Sequence, residues 1–240
     1  MRNFILQRAN GIYSVGYKIP SILNVFQTIF SQAWTLSAIK DYDPKDKDGF
    51  FSNMYCLYEC GMVLVCSVLI ATSQILARFL YAKDFYDAWI YVPWLTIAIV
   101  FGAMSGFLGG VFAAAKDTKL FGQSTVIGAL INMVLNVILV YFVGSVGAAI
   151  ATAISYISIW VIRVKHVKNH IAVQFQMGRD ILSYILLFVQ TILLYWVQSS
   201  LLLYGAELII FLLIIFLYRV EFEKMLQKIK TRTSGGQHES

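Results

Sequence analysis

The stretch AWIYVPWLTIAIVFGAMSGFLGGVFAA, residues 88–114, decides the fold. It runs for 27 residues without a charge. At about 1.5 Å per residue, a helix of that length reaches about 40 Å and crosses a hydrocarbon core of roughly 30 Å. Pro93 falls near its start, where a first-turn proline does no harm. Gly102, Gly106, Gly110 and Ala114 recur every fourth residue and predict a smooth ridge that another helix can approach closely.

Outward from this block, the same reading gives seven spans at 12–38, 52–77, 88–114, 121–142, 145–163, 181–199 and 203–219. The last two are separated at Gln198–Gly205, because one 39-residue helix would overshoot a bilayer. Of the 240 residues, 59% are hydrophobic and 13% charged. A soluble domain carries roughly 25% charged residues, so this chain cannot cover a water-facing surface. The fold class is therefore all-α: a polytopic transmembrane helix bundle of about seven helices over residues 1–220, with a polar cytoplasmic tail over 221–240 that reads as disordered after Arg232.

The net charge of +6 does not point to nucleic acid, because the basic residues lie in short loops and the tail. If the spans alternate in direction, 14 of the 19 Lys and Arg fall on one side, in loops 40–50, 116–120 and 164–180, in the tail, and at the adjoining span ends Arg163 and Arg219. The positive-inside rule then places the C-terminus in the cytoplasm and residues 1–10 outside, in a cell membrane crossed several times. An outside start with no signal sequence before it reads as the C-terminal part of a longer protein.

Two spans carry polar stripes. On the first, Lys18, Ser21, Asn24, Thr28, Ser31, Gln32 and Thr35 recur every three or four residues and share one face. Such a stripe faces either an aqueous cavity or hydrogen-bonding helices, and an ionisable group in it favours the cavity. On the fourth, Ser124, Gly128, Asn132 and Asn136 lie four apart, and cavity lining and helix packing stand level. Gly147, Ala151 and Ser155 repeat the small-residue spacing on the fifth span. Pro20 lies two turns into the first span and predicts a kink. Glu59, taken as the one acid well inside a span, is a candidate ion-coupling site; its place two turns from the cytoplasmic end favours plain solvent contact.

No enzyme site is legible. His166 and His170 have metal-compatible spacing within RVKHVKNH, but that basic setting repels a cation and suits anionic membrane lipid. Cys56, Cys60 and Cys66 share one apolar span and read as packing residues. No cofactor and no metal are expected.

The residues also carry a family resemblance. NGIYSVGYKIPSILNVFQTIF resembles the G-x-Y-S-x-x-x-K segment that opens a helix in the second half of polysaccharide (O-antigen, Wzx-type) flippases. FAAAKDTK, the Asn-bearing span after it and VGSVGAAIATAISY are similar to later signatures of that family, which belongs to the multidrug/oligosaccharidyl-lipid/polysaccharide exporter superfamily. The resemblance covers residues 10–165. It implies two six-helix lobes around a central cavity, with two further C-terminal helices, so the seven spans correspond to the eighth to fourteenth of fourteen. It implies movement of an undecaprenyl-diphosphate-linked oligosaccharide between leaflets, with the absent N-terminal lobe or a second membrane subunit as partner. Lys18 matches the basic position of the family segment and becomes the candidate for the diphosphate; Ser21, Asn24, Thr28, Gln32, Asn132 and Asn136 become candidates for the sugars. A multidrug antiporter, for which Glu59 would couple the ion, is the alternative. A membrane enzyme of polysaccharide assembly is a more distant one.

Overall fold

The computed structural model describes residues 11–197, 199–221 and 223. The expected outside segment 1–10, His238 and nearly all of the polar tail lie outside the described residues. The described residues form seven long helices and no strand. They are α1 (Pro20–Lys40), α2 (Phe50–Leu80), α3 (Val92–Ala114), α4 (Thr118–Val143), α5 (Val146–Val167), α6 (Met177–Trp196) and α7 (Ser200–Leu217), with a 3₁₀ segment (Lys83–Tyr91) before α3. Six of them, α2 to α7, are long and apolar enough to cross a membrane. The first is not among the six, although at 21 residues it has the length. Its polar stripe lowers its apolar content.

The stretch that decides the fold lies at its centre. α3 is buried along almost its whole length and packs chiefly against α5, α1 and α2. Its glycines set the distances. A Cβ on Gly110 would stand 2.7 Å from the indole of Trp34, whose Nε1 donates to the Phe107 carbonyl at 2.8 Å. A Cβ on the adjacent Gly109 would stand 2.5 Å from the Phe121 ring. Consecutive helical residues point about 100° apart, so α1 and α4 meet neighbouring faces of α3 at one depth. Trp34 also stacks on Phe107 at 4.0 Å, and Phe30 stacks on Tyr58 at 3.7 Å, which fastens α1 to α2 and α3.

α4 is the opposite of α3. Only Ser124 and Gly128 are buried on it, and it packs mainly on α5. The two approach backbone to backbone: a Cβ on Gly147 would lie 2.4 Å from the carbonyl of Leu139. α2, α6 and α7 make the other flank of the bundle.

The chain direction follows the alternation expected. At one end, Tyr42 Oη donates to the His170 carbonyl at 2.9 Å, Ala172 N to Pro44 O at 3.0 Å, and His170 Nε2 lies 3.0 Å from Asp117 Oδ2. The loops 41–49, 115–117 and 168–176 therefore share one end, here termed the basic end. At the other, aromatic end, the Tyr91 and Ser145 hydroxyls are 2.6 Å apart, Tyr195 Oη donates to the Ile90 carbonyl, and Trp89 stacks on Tyr195 at 5.6 Å.

The span expected at 12–38 is two pieces rather than one kinked helix. Residues 11–16 are helical, 17–19 form a turn, and Pro20 is the first residue of α1. The proline lacks the N–H that would bond the Gly16 carbonyl, and Tyr81 Oη donates to that carbonyl instead, at 3.5 Å. Pro93 lies in the first turn of α3, as expected.

Candidate functional site

α1 has three faces. Leu23, Trp34 and Ala38 are buried against the bundle. Ile22, Phe26, Ile29 and Leu36 form an exposed apolar face. Between these two, at 100° per residue, runs the polar stripe. Lys18, Ser21, Asn24, Thr28 and Gln32 are all exposed, and Ser31 and Thr35 are half-buried. The hydroxyls are turned onto their own helix: Ser21 donates to Lys18 O at 2.6 Å, Thr28 to Asn24 O at 2.9 Å and Thr35 to Ser31 O at 2.9 Å. Among the described residues, the side chains of Lys18, Asn24 and Gln32 bond to no neighbouring helix. Lys18 sits in the 17–19 turn, at the aromatic end of the stripe.

The second stripe is used differently. Asn136 Nδ2 donates to Asn132 Oδ1 at 3.0 Å, and Asn132 Nδ2 to Thr152 Oγ1 on α5 at 3.4 Å. A Cβ on Gly128 would overlap Ile159. These residues join α4 to α5, and both Asn side chains remain half-buried.

Glu59 does not make the expected contact with solvent. It is fully buried, and its Oε2 accepts from Arg179 Nη2 at 3.4 Å. The same guanidinium reaches Asp180 Oδ1 at 2.9 Å and Glu221 Oε1 at 2.6 Å, and lies over the Tyr218 ring at 4.5 Å. A single arginine thus gathers three carboxyls from α2, α6 and the chain just past α7. Nor is Glu59 the one acid inside a span: Asp180 in the first turns of α6 and Glu207 in α7 are also buried.

Arg163 was counted among the basic loop residues and is instead buried in α5. It donates to Ser124 Oγ at 2.9 Å, Ser105 O at 2.7 Å, Phe121 O at 3.3 Å and Thr125 Oγ1 at 2.9 Å, with the Phe121 ring 4.3 Å below the guanidinium. All four acceptors are neutral. It ties α3, α4 and α5 together. His166 bonds its own helix and His170 faces Asp117, so the two do not converge; no cluster of metal-ligating side chains occurs among the described residues. The three cysteines are free, two of them buried.

In the basic-end loop, the Asp43 carboxylate accepts the backbone N–H groups of Lys47 at 3.1 Å and Lys45 at 3.0 Å. Those bonds hold its pKa below the usual carboxylate range. Asp46 accepts from Phe51 N and Ser52 N, which caps the start of α2.

These features define a multi-pass helical membrane protein in which one helix turns an uncovered polar stripe outward. In sequence the chain is similar to the probable low-salt glycan biosynthesis flippase Agl15 of Haloferax volcanii, 25% identical over 182 residues. That match covers 72% of the chain and 37% of the relative, so the chain spans little more than a third of the relative's length. No family model matches the chain. No solved structure matches it.

Proposed function

We propose that this chain is the C-terminal lobe of a flippase that moves a lipid-linked oligosaccharide across the cytoplasmic membrane during polysaccharide assembly. The observation that carries the reading is the exposed polar stripe of α1. A stripe with a cation and two free amides is costly against hydrocarbon and is suited to a wet cavity. A covering lobe, supplied by a longer chain or a second membrane subunit, would enclose it. The similarity to a glycan biosynthesis flippase supports this reading. One lobe alone cannot alternate access between two sides.

In this reading Lys18 holds the diphosphate as a point charge. Asn24, Gln32 and the hydroxyls of Ser21 and Thr28 present groups for sugar hydroxyls, and Asn132 and Asn136 add to the wall from α4. The basic end is cytoplasmic, following the bias of Lys and Arg. The protein is a carrier rather than an enzyme. In the multidrug antiporter reading Glu59 would couple the ion, and Glu59 is already engaged with Arg179 on the far flank.

The test is Lys18→Gln in a strain where the complete flippase, or this chain with a first-half fragment, restores surface polysaccharide. Loss of a charge-assisted contact costs about 1.5–3 kcal/mol, roughly tenfold to 150-fold in affinity. Polysaccharide should fall sharply with protein level unchanged, and Lys18→Arg should keep part of it. Parental polysaccharide in Lys18→Gln would leave Lys18 as a head-group anchor and remove the anion site.

A further inference from the structure

A second buried polar site lies on the flank of α2, α6 and α7, away from the stripe. Glu207 on α7 and Gln190 on α6 are both buried. Gln190 Nε2 donates to Glu207 Oε2 at 2.7 Å. The other oxygen of each, Glu207 Oε1 and Gln190 Oε1, is buried with no hydrogen-bond partner among the described residues, and so is Ser73 Oγ on α2. The three lie at similar depth. Ser73 is seven residues from the aromatic end of its helix, Gln190 six and Glu207 seven, or about 9–11 Å at 1.5 Å per residue. The three helices pack against one another.

Directly above lies a cavity of about 570 Å³ at the aromatic end. Its lining includes Leu194 and Leu203, one helical turn beyond Gln190 and Glu207, and Gln74, next to Ser73. Arg78, Trp89 and Tyr195 line its upper part. Leu194 and Leu203 are buried and form a thin floor between the cavity and the carboxyl.

We propose that Glu207, with Gln190 as its hydrogen-bond partner, is a proton-binding site that exchanges with the cavity at the aromatic end. An ionised carboxyl in hydrocarbon needs a cation or several donors, and the described surroundings give Glu207 one amide donor. A proton on Glu207 Oε1 supplies the donor that the site lacks. The oxygen of the Gln190 amide lies beside its bonded nitrogen and is the acceptor left waiting, so acid and amide can close a two-bond ring. On release the proton passes to water in the cavity and Glu207 is left as a carboxylate. Gln190 bonds Glu207 directly, and the titratable and charged groups that line the cavity are Arg78 from α2, Tyr195 from α6 and Tyr204 on its own helix. The Arg78 guanidinium lies 5.9 Å from the centre of the Tyr86 ring, at the mouth. The Glu59–Arg179 group belongs to the opposite end of the same helices. This site does not depend on the flippase reading, although a proton-coupled carrier would have use for it.

The test reads protonation and no transport. The full chain in lipid vesicles is treated with dicyclohexylcarbodiimide, an apolar reagent for protonated intramembrane carboxyls, and mapped by mass spectrometry. Glu207 should be labelled at acid and neutral pH and labelling should be lost at alkaline pH. As a second readout, the infrared carboxylic C=O band of the wild type should vanish in Glu207→Gln and persist in Glu59→Gln. Labelling indifferent to pH overturns the proposal, as does the absence of both the label and the band difference. Sodium that blocks labelling at fixed pH also overturns it, since the site would then hold a cation and not a proton.

Discussion

Arg179→Gln is the substitution whose cost the structure determines most directly. Arg179 is 9% exposed, and Glu59 and Asp180 are not exposed at all. The Oε1 of Glu59 and the Oδ2 of Asp180 have no partner among the described residues, so each acid is held by its other oxygen, through Arg179. Removing the arginine strips both of their cation while leaving them buried. Breaking a buried pair from one side costs about 3–5 kcal/mol, roughly 150-fold to several thousandfold in the folding equilibrium. For a chain of this size that is roughly 6–20 °C of midpoint, at about 2–4 °C per kcal/mol. The assay is thermal unfolding in detergent, run as a double-mutant cycle with Glu59→Gln. The cycle should show a coupling of about 0.5–3 kcal/mol, with Arg179→Gln/Glu59→Gln more stable than the two single costs added. An Arg179→Gln protein that melts within about 2 °C of the parent, or strict additivity, would refute the view that this arginine neutralises buried acids.

Arg163→Met should cost less than Arg179→Gln, about 1–2 kcal/mol in the same melts, because its acceptors are neutral and Ser124 and Thr125 also bond within their own helix; an equal or larger loss would mean that Arg163 has an ionic role. Gly147→Ala puts a methyl 2.4 Å from the Leu139 carbonyl and should destabilise by about 1–3 kcal/mol, read as a lower midpoint in the same melts; an unchanged midpoint would mean that α4 and α5 can part at no cost. For Asp43 the depressed pKa means that its contribution is fully present above the ordinary carboxylate pKa and is lost as pH falls through the lowered one. Amide-exchange protection of Lys45 and Lys47 should therefore drop on strong acidification in the parent, with no such acid step in Asp43→Asn.

The helices were legible in the sequence because a bilayer demands an unbroken apolar run, and such runs are local. The α1 stripe was legible for the same reason: its spacing is a property of one helix. What sequence reading misplaced depends on contacts between distant segments. Arg163 and Arg179 sit at span ends and look like loop charges. Their burial follows from Ser105, Ser124 and Glu59, up to 120 residues away. Glu59 looked solvent-accessible because distance from a helix end was the one depth gauge available, and the carboxyl cluster that closes over it is assembled from three segments. Glu207 lies close to a span boundary, so the break between α6 and α7 masked an acid that is buried two turns inside. Pro20 marked a disturbance correctly, but whether a proline bends a helix or starts one depends on the residues that take up the freed carbonyl.

The Tyr81 contact with Gly16 has a mechanical consequence. Below Pro20, α1 is fixed by Trp34 and Phe30; above it, 11–16 is held by the 3.5 Å Tyr81 hydroxyl bond, the edge-on packing of Tyr13 on Tyr91, the close approach of Gly16 to Tyr91 and Ala88, and the turn bond from Lys18 N to Val15 O at 3.0 Å. A bond of that kind is worth about 0.5–1.5 kcal/mol, a few multiples of thermal energy at most. The break in α1 is thus a joint of three residues, with the Tyr81 phenol as its catch, and Lys18 rides on the joint itself. Releasing the catch would move Tyr81 and the Tyr13–Tyr91 contact and swing the cation, while Trp34 and Phe30 stay stacked below the joint.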